Sequence, residues 1–149
     1  MKYWLMKSEP TAFSIDDLAR RGTEPWDGVR NYQARNYLRQ MRVGDQAFFY
    51  HSNCAEPAIV GLVEVVTEAY PDPSQFDPDS PYFDPKSSRE APRWSLVEVR
   101  FERKLARPIT LRELKADPAL AGLALLQRGH RLSVMPVTPA QWRHILALE

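Results

Sequence analysis

The stretch WDGVRNYQARNYLR, which begins at Trp26, gathers groups that can stack, form hydrogen bonds and carry positive charge. Trp26 comes just before a predicted helix, and Asn31 has the side chain of a good N-cap for that helix. The free amides of a helix N-terminus favour an anion, and Arg30 and Arg35 would strengthen that preference. We interpret Trp26 as a half-open surface on which a planar group can stack, with a plain core tryptophan as the alternative.

Polar side chains also end two of the predicted strands. In the stretch FFYHSNC, a run of large aromatic residues is followed by His51, Ser52 and Asn53. These side chains supply hydrogen-bond donors and acceptors that can read the edge of a planar base. The N-terminal stretch LMKSEP ends in the same way, with Lys7 and Ser8. For His51 alone, a buried histidine with satisfied hydrogen bonds is the alternative.

Positive charge is unevenly distributed, although the net charge of the chain is only +1. A helix predicted at about residues 31–42 places Arg35 and Arg39 on one face, whereas residues 55–85 contain acidic residues and no lysine or arginine. We therefore predict one basic face that contacts a phosphate backbone, with an ordinary mixed surface as the alternative. The predicted phosphate contacts are Lys7, Arg30, Arg35, Arg39 and Arg131.

A catalytic interpretation of the same residues would use a serine or Cys54 as nucleophile, His51 as general base and an acid such as Asp27 to orient it. The sequence contains no G-x-S-x-G, P-loop or zinc-deaminase motif, and its three histidines and single cysteine show no metal-ligand spacing. We therefore expect no catalytic residues, no metal and no cofactor. A hydrolase or nuclease that acts on nucleic acid through His51 and Ser52 is the alternative.

The chain of 149 residues is long enough to bury a sizeable hydrophobic core as one domain. Its one cysteine cannot form an internal disulfide, which fits a reducing compartment. The N-terminal MKYWLMKSEP has an apolar run too short for a secretory signal or a membrane span. We therefore expect a cytoplasmic monomer without a membrane partner.

Three helix starts are predicted from a hydroxyl-bearing N-cap and a polar partner three residues later. In each case apolar residues flank the cap and can form a hydrophobic staple. The three pairs are Ser14 with Asp17, Thr110 with Glu113, and Thr138 with Gln141.

Strand patterns lie between these helix starts. Residues 93–105 alternate most clearly, with Val97 and Val99 on one side and charged residues on the other. Gly61 interrupts another strand and predicts a bulge or a bend. The five predicted strands cover residues 3–6, 46–52, 59–70, 93–105 and 131–137. Because no βα repeat occurs, we predict an α+β domain around a strongly bent sheet or small barrel, with the proline-rich loop 71–92 packed over it.

Several longer motifs resemble one known family. They are YWLMKSEP, WDGVRNYQARN, FFYHSN, GLVEVV, YFDPKS followed by PRWSLVEV, and RLSVMPV. In this order they are similar to the EVE domain family over nearly the whole chain. The resemblance implies a single EVE domain across residues 1–149 with a fold of the PUA-like superfamily, a small bent β-barrel of five to six strands with flanking helices.

The resemblance also implies a function, namely non-enzymatic recognition of nucleic acid through a modified base flipped into a pocket. The base would be a 5-substituted cytosine in DNA or a modified base in RNA, so the expected partner is DNA or RNA that carries such a base. By the matching motifs, Trp26 would be one wall of an aromatic pocket. The residues expected to supply the polar contacts of this base pocket are Ser8, Asn31, His51, Ser52 and Asn53.

Overall fold

The computed structural model describes residues 1–129 and 131–149, and these residues form eight strands and four α-helices. The strands are β1 (Tyr3–Ser8), β2 (Thr23–Pro25), β3 (Gln46–His51), β4 (Ala58–Val65), β5 (Tyr70–Pro71), β6 (Ser95–Leu96), β7 (Glu98–Thr110) and β8 (Val134–Val137). The helices are α1 (Ile15–Arg21), α2 (Tyr32–Gln40), α3 (Leu111–Ala116) and α4 (Pro139–Leu146). Short 3-10 helices cover Pro73–Phe76, Pro118–Leu120 and Ala124–Leu126.

Six of the strands form one sheet in the order β2-β7-β4-β3-β1-β8. β1 and β3 are parallel, with Tyr3 opposite Gln46 and Ser8 opposite His51, and the other neighbouring pairs are antiparallel. Because parallel strands end at the same edge of a sheet, the polar ends of β1 and β3 lie side by side. β5 and β6 form a separate two-stranded ribbon.

The large sheet is curled into a half-barrel, and its strand pairing shifts where β4 bends. The pairing of β4 with β7 loses register between Ile59 and Gly61. A Cβ atom at Gly61 would lie 2.6 Å from Cδ1 of Ile15 in α1. The absence of a side chain therefore lets α1 pack directly against the bent strand, and the irregularity predicted at Gly61 is confirmed.

Both faces of the central strand β3 are buried. Phe49 belongs to a hydrophobic cluster that α1 and α2 cover, whereas Phe48 belongs to a second cluster that α3 and α4 cover. In the second cluster, Phe48 stacks on Trp142 of α4 at a centroid distance of 4.0 Å. The first cluster includes Trp26, so the tryptophan of the opening motif lies on the α1 and α2 side of the sheet.

The structure confirms the predicted α+β class, the bent sheet of five to six strands, which has six here, and the flanking helices. Ser14 and Thr138 each form the predicted reciprocal capping box. Thr110 caps α3 through the backbone amide of Glu113, but the carboxylate of Glu113 binds Arg107 instead of returning to the cap. Several predicted boundaries were wrong: the helix at 31–42 ends at Gln40, the strand at 59–70 ends at Val65, and the strand at 131–137 begins at Val134.

The proline-rich loop between β5 and β6 packs on the domain as predicted, because a buried glutamine closes its base. The side chain of Gln75 donates hydrogen bonds to the carbonyl oxygens of Asp72 and Trp94, at 2.7 and 2.8 Å. Its own Oε1 accepts hydrogen bonds from Trp94 N and Ser87 Oγ. With its two ends joined in this way, the loop holds its outer residues, including Tyr82, at a defined position.

Candidate functional site

A cavity of about 340 Å³ lies where β1 and β2 end and the proline-rich loop passes above them. Its volume is at the lower end of the range of pockets that bind small molecules, roughly 300 to 1,000 Å³. The cavity therefore has room for one planar ring. Its lining residues are Lys7, Ser8, Glu9, Ala12, Phe13, Glu24, Pro25, Trp26, Asp27 and Tyr82.

Trp26 lines this cavity, but it is less open than the sequence suggested. Only 8% of the residue is exposed, and its ring meets Phe49 edge-on at a centroid distance of 5.6 Å. Its backbone amide donates to the carbonyl oxygen of Val97 at 2.8 Å, which continues the pairing of β2 with β7 by one more residue. The half-open surface predicted from the motif is therefore corrected: Trp26 is a core residue that also contributes to the cavity wall.

Tyr82 contributes a second aromatic ring to the cavity from the proline-rich loop. Gly28 makes this approach possible, because it has a φ of +80° and a Cβ atom there would lie 2.6 Å from the Tyr82 ring. The ring thus rests directly on the backbone that follows Trp26. The conformational freedom of Gly28 serves a contact within the chain.

Arg30 holds the same loop in place. All five of its N–H donors have acceptors within the chain, since Nε and Nη2 bond the carbonyl oxygen of Tyr82 and the remaining contacts go to Val29 O, Asp72 Oδ2 and Ser74 Oγ. A phosphate contact by Arg30, as expected from the sequence, would have to displace one of these bonds. We therefore assign Arg30 a positioning role for Tyr82 and leave it out of the proposed phosphate contacts.

Asp72 is the buried anion at the centre of this arrangement, and its side chain is fully inaccessible to solvent. Its carboxylate accepts hydrogen bonds from the backbone amides of Gly28 and Ser74, from Ser74 Oγ and from Arg30 Nη1. Burial alone would raise the pKa of Asp72, but these hydrogen bonds together outweigh burial and lower it. Asp72 therefore ties the loop after Trp26 to the loop that carries Tyr82.

The charged groups of the cavity are partly desolvated. Burial raises the pKa of Glu24 and lowers that of Lys7, and partial desolvation followed by the charge of Asp72 raises the pKa of Asp27. Oε1 of Glu24 is buried and accepts no hydrogen bond from the described residues, although Arg21 Nε lies 3.3 Å away. The cavity thus combines aromatic rings with carboxylate acceptors and one ammonium donor.

Two of the predicted pocket residues, Ser8 and Asn53, are associated with the cavity. Ser8 lines it, but its hydroxyl already donates to the carbonyl oxygen of Phe13. Asn53 does not line it, yet its amide donates to the Glu9 carboxylate at 3.1 Å and so reaches the rim. Asn53 holds a φ of +52°, which asparagine tolerates better than most residues.

The other predicted polar residues of the pocket lie elsewhere. Asn31 is exposed and caps α2 by accepting a hydrogen bond from the amide of Ala34 at 3.0 Å. The backbone amide of Ser52 donates to the carbonyl oxygen of Ser8, and Ser52 is absent from the lining of the cavity. Trp26 and Ser8 therefore line this cavity, whereas Asn31 and Ser52 do not.

His51 lines a second cavity, of about 460 Å³, beside α1. Its Nε2 accepts a hydrogen bond from the backbone amide of Ile15 at 3.1 Å, which satisfies one free amide of the helix. The ion pair between Lys104 and Asp16, at 2.8 Å, borders the same cavity. His51 therefore supports the start of α1 on this side of the molecule.

Protonation of His51 is expected to destabilise the fold. Burial, the largest influence, lowers the pKa of His51, with Asp16 opposing and Lys104 adding to the effect. The folded state therefore binds this proton more weakly than the unfolded chain, so the stabilisation is present above about pH 6.5 and is lost as the pH falls through the folded-state pKa. Urea unfolding at about pH 8 and about pH 5 should show a larger loss of stability for wild type than for His51→Gln, and equal losses would contradict this assignment.

Of the remaining predicted phosphate contacts, only Lys7 lines the cavity. Arg131 is exposed. Arg35 and Arg39 both reach the far end of the proline-rich loop, where they donate to the carbonyl oxygen of Arg93. Burial, followed by the charge of Arg39, lowers the pKa of Arg35, which reflects the closeness of the two cations.

Neither a helix that could cross a membrane nor a cluster that could hold a metal is seen within residues 1–129 and 131–149. The helices of these residues lack the length and apolar character that a bilayer span needs. No three side chains of histidine, cysteine, aspartate or glutamate in the same part of the chain are grouped as metal ligands would be.

The sequence motifs did not predict Glu24 and Phe13 as lining residues of the cavity, nor the structural role of Asp72. Glu24 is the middle residue of the short strand β2, and Phe13 precedes the N-cap of α1, so neither belongs to a motif that predicts a binding site. Asp72 could have been suspected, because an acid followed by Pro73 and Ser74 is typical of a side-chain cap on a short helix, which it forms here. Asp27 was considered only as an orienting acid for catalysis, and it lines the cavity.

The model of the EVE domain family matches residues 2–148 of this chain. The chain belongs to the EVE domain family. Thymocyte nuclear protein 1 of Mus musculus is 49% identical to this EVE domain over 166 aligned residues, which cover 99% of the chain and 73% of the relative.

Solved structures of related proteins agree with this assignment. A protein of Pseudomonas syringae shares 55% identity with this EVE domain at a TM-score of 0.95, with 98% of each chain covered. Human THYN1, solved in complex with DNA that contains 5-methylcytosine, shares 46% identity at a TM-score of 0.94, with 99% of this chain and 97% of that chain covered. The fold of this EVE domain is therefore that of a relative that binds methylated DNA.

Proposed function

We propose that this EVE domain binds nucleic acid and holds one modified base, turned out of its strand, in the cavity between Trp26 and Tyr82. The observation that carries the proposal is the cavity itself: three aromatic residues and several polar groups line a space sized for one planar ring. The similarity to human THYN1, which binds DNA containing 5-methylcytosine, favours a modified base as the ligand.

The energetics require contributions from outside the cavity. Stacking on an aromatic side chain contributes about 1 to 3 kcal/mol per base, while extruding a base costs a few kcal/mol. Phosphate contacts must therefore supply much of the net affinity. A single methyl group contributes only about 0.8 kcal/mol on burial, roughly a fourfold preference.

Four of the cations predicted from the sequence are suited to bind phosphate. We propose Lys7, Arg35, Arg39 and Arg131 for this role, because Lys7 lines the cavity and the other three are wholly or partly accessible. Lys7 lies in the cavity wall, so it can reach the nucleotide that is turned out. Arg35 and Arg39 would reach the flanking strand.

We propose that the bound base is not transformed. The acceptor Nε2 of His51 is already used by the backbone amide of Ile15, so it is not free to take a proton from Ser52. His51 also lines a different cavity from Trp26. The arrangement thus offers stacking and hydrogen-bonding groups without a nucleophile and base in contact.

The test is equilibrium binding to a panel of duplexes that differ only in one central base. The bases are cytosine, 5-methylcytosine, 5-hydroxymethylcytosine, adenine and N6-methyladenine. Each base is tested in DNA and in RNA. We expect one modified base to bind more tightly than its parent, with affinity that falls as salt is raised. In an Arg35→Gln/Arg39→Gln variant the slope of log affinity against log salt should fall by about one unit per lost phosphate contact. The matched control is Arg112→Gln/Lys115→Gln on α3, across the sheet, which should keep the slope.

Two results would contradict the proposal. The first is affinity that is the same for every central base. The second is turnover: mass spectrometry of the oligonucleotides after incubation, with and without divalent metal, should show no product. Product that disappears in His51→Ala would identify a hydrolase or nuclease instead.

A further inference from the structure

We infer that Glu24 selects bases that present an exocyclic amino group, as cytosine and its 5-substituted forms do, over bases that present a carbonyl oxygen at that position. This inference rests on the proposed base-binding cavity and assigns the residue that decides which base it accepts.

The polar side chains of the cavity wall are mostly hydrogen-bond acceptors. Glu9, Glu24 and Asp27 contribute carboxylates, whereas Lys7 contributes the one ammonium group of the lining residues. An ionised carboxylate accepts hydrogen bonds and cannot donate. A base that enters this cavity is therefore favoured when it brings N–H donors and has few carbonyl oxygens facing the carboxylates.

Among these carboxylates, Glu24 has the most unused capacity in a desolvated setting. Glu9 is exposed and already accepts a hydrogen bond from Asn53, and Asp27 is exposed to solvent. The Glu24 side chain is 19% exposed, and its buried Oε1 accepts no hydrogen bond from residues 1–129 or 131–149. Its nearest cation, Arg21, has a side chain that is 62% exposed and is therefore a weak, solvent-screened partner.

A carboxylate in this position gains from a ligand donor. A buried acceptor without a partner costs free energy, and the same burial raises the pKa of Glu24. The last torsion of a glutamate is soft, so either oxygen can turn toward a bound ring. An amino group on the base would supply the missing hydrogen bond, and Lys7 could donate to a carbonyl oxygen of the same base.

The comparison that isolates this contact is 5-methylcytosine against thymine. The two rings have the same size and the same methyl group, but thymine carries O4 in place of the amino group and a proton on N3. Oxygen O4 facing the Glu24 carboxylate would set acceptor against acceptor. We expect wild type to prefer 5-methylcytosine over thymine by about fivefold to a hundredfold.

The experiment places each test base opposite an abasic site in one duplex, so that no base pair has to be broken in either case. Glu24→Gln keeps the size of the side chain and adds an amide donor that can bond O4, so the preference for 5-methylcytosine should fall by at least about fivefold. Glu68→Gln, an exposed glutamate outside the cavity, is the matched control and should keep the wild-type preference. Thermal unfolding of each variant confirms that it is folded.

Each outcome decides the inference. A preference that falls in Glu24→Gln and is retained in Glu68→Gln supports it, and an unchanged preference in Glu24→Gln overturns it while leaving the base-binding cavity in place. Wild-type binding that is equal for 5-methylcytosine, thymine and a second abasic site overturns the proposed function as well. If Glu24→Gln does not fold, Glu24→Asp replaces it. Its shorter carboxylate should lower the preference for 5-methylcytosine over thymine. An unchanged preference in Glu24→Asp overturns the inference.

Discussion

Trp26→Ala is expected to remove base-selective binding and to lower the free energy of unfolding by about 3 to 5 kcal/mol. The loss of stability follows from burial, because Trp26 is only 8% exposed and packs against Phe49 in the first hydrophobic cluster. The loss of binding follows from the missing aromatic wall, which should weaken the preferred modified duplex by about 1 to 3 kcal/mol. Urea unfolding and equilibrium binding measure the two effects separately.

A core tryptophan outside the cavity separates the two effects. Trp142 is 4% exposed in the second cluster, on the opposite side of the sheet. Trp142→Phe should lower stability and leave base selectivity unchanged, whereas Trp26→Phe should retain most of the stability and weaken selectivity. Equal selectivity in these two variants would mean that Trp26 serves only the core.

Asp72→Asn is expected to destabilise the protein by about 3 to 5 kcal/mol, because it removes a fully buried anion that pairs with the partly buried guanidinium of Arg30. The new amide would also point N–H groups at the donors of Gly28 and Ser74, which now bond the carboxylate. Since these bonds fix the loop that carries Tyr82, affinity for the modified duplex should fall as well. Chemical denaturation and binding assays on the same preparation test both effects.

The control for Asp72 is Asp79→Asn, an exposed acid in the same loop. It should change stability by no more than about 0.5 kcal/mol.

The lowered pKa of Asp72 adds a pH dependence: its stabilisation is present above the unfolded-state pKa of about 3.9 and is lost as the pH falls through the folded-state pKa. Wild type and Asp72→Asn that unfold with equal stability would contradict the role assigned to this carboxylate.

Features with short-range causes could be predicted from the sequence. The caps at Ser14 and Thr138 depend on residues three positions apart, and the alternation that buries Val97 and Val99 depends on neighbours two apart. The bulge at Gly61 is equally local in origin. These features, together with the order of the elements, were enough to predict a bent sheet with flanking helices.

The composition of the cavity depends on contacts that no local pattern contains. Tyr82 reaches Gly28 only because Asp72 and Gln75 fix a long loop across the sheet. His51 ends its strand beside Ser8, as the motifs suggested, but α1 occupies the space next to it and takes its acceptor nitrogen.

The arginines show a second limit of sequence interpretation. Spacing indicates where positive charge collects, but it does not show whether the N–H donors are free. Arg30 uses all five within the chain, whereas Lys7 has its ammonium group in the cavity wall. Glu24 carries no motif, and only its burial without a hydrogen-bond donor identifies it.

The most direct test of the account is a crystal structure of this EVE domain bound to a duplex with a single central 5-methylcytosine. We predict that the methylated ring lies in the cavity, stacked at about 3.5 to 4 Å from the Trp26 indole and with Tyr82 beside it. The position that this base would occupy in the duplex stack should be empty. A methylated base that stays stacked in the duplex, or that is bound away from Trp26, would contradict it.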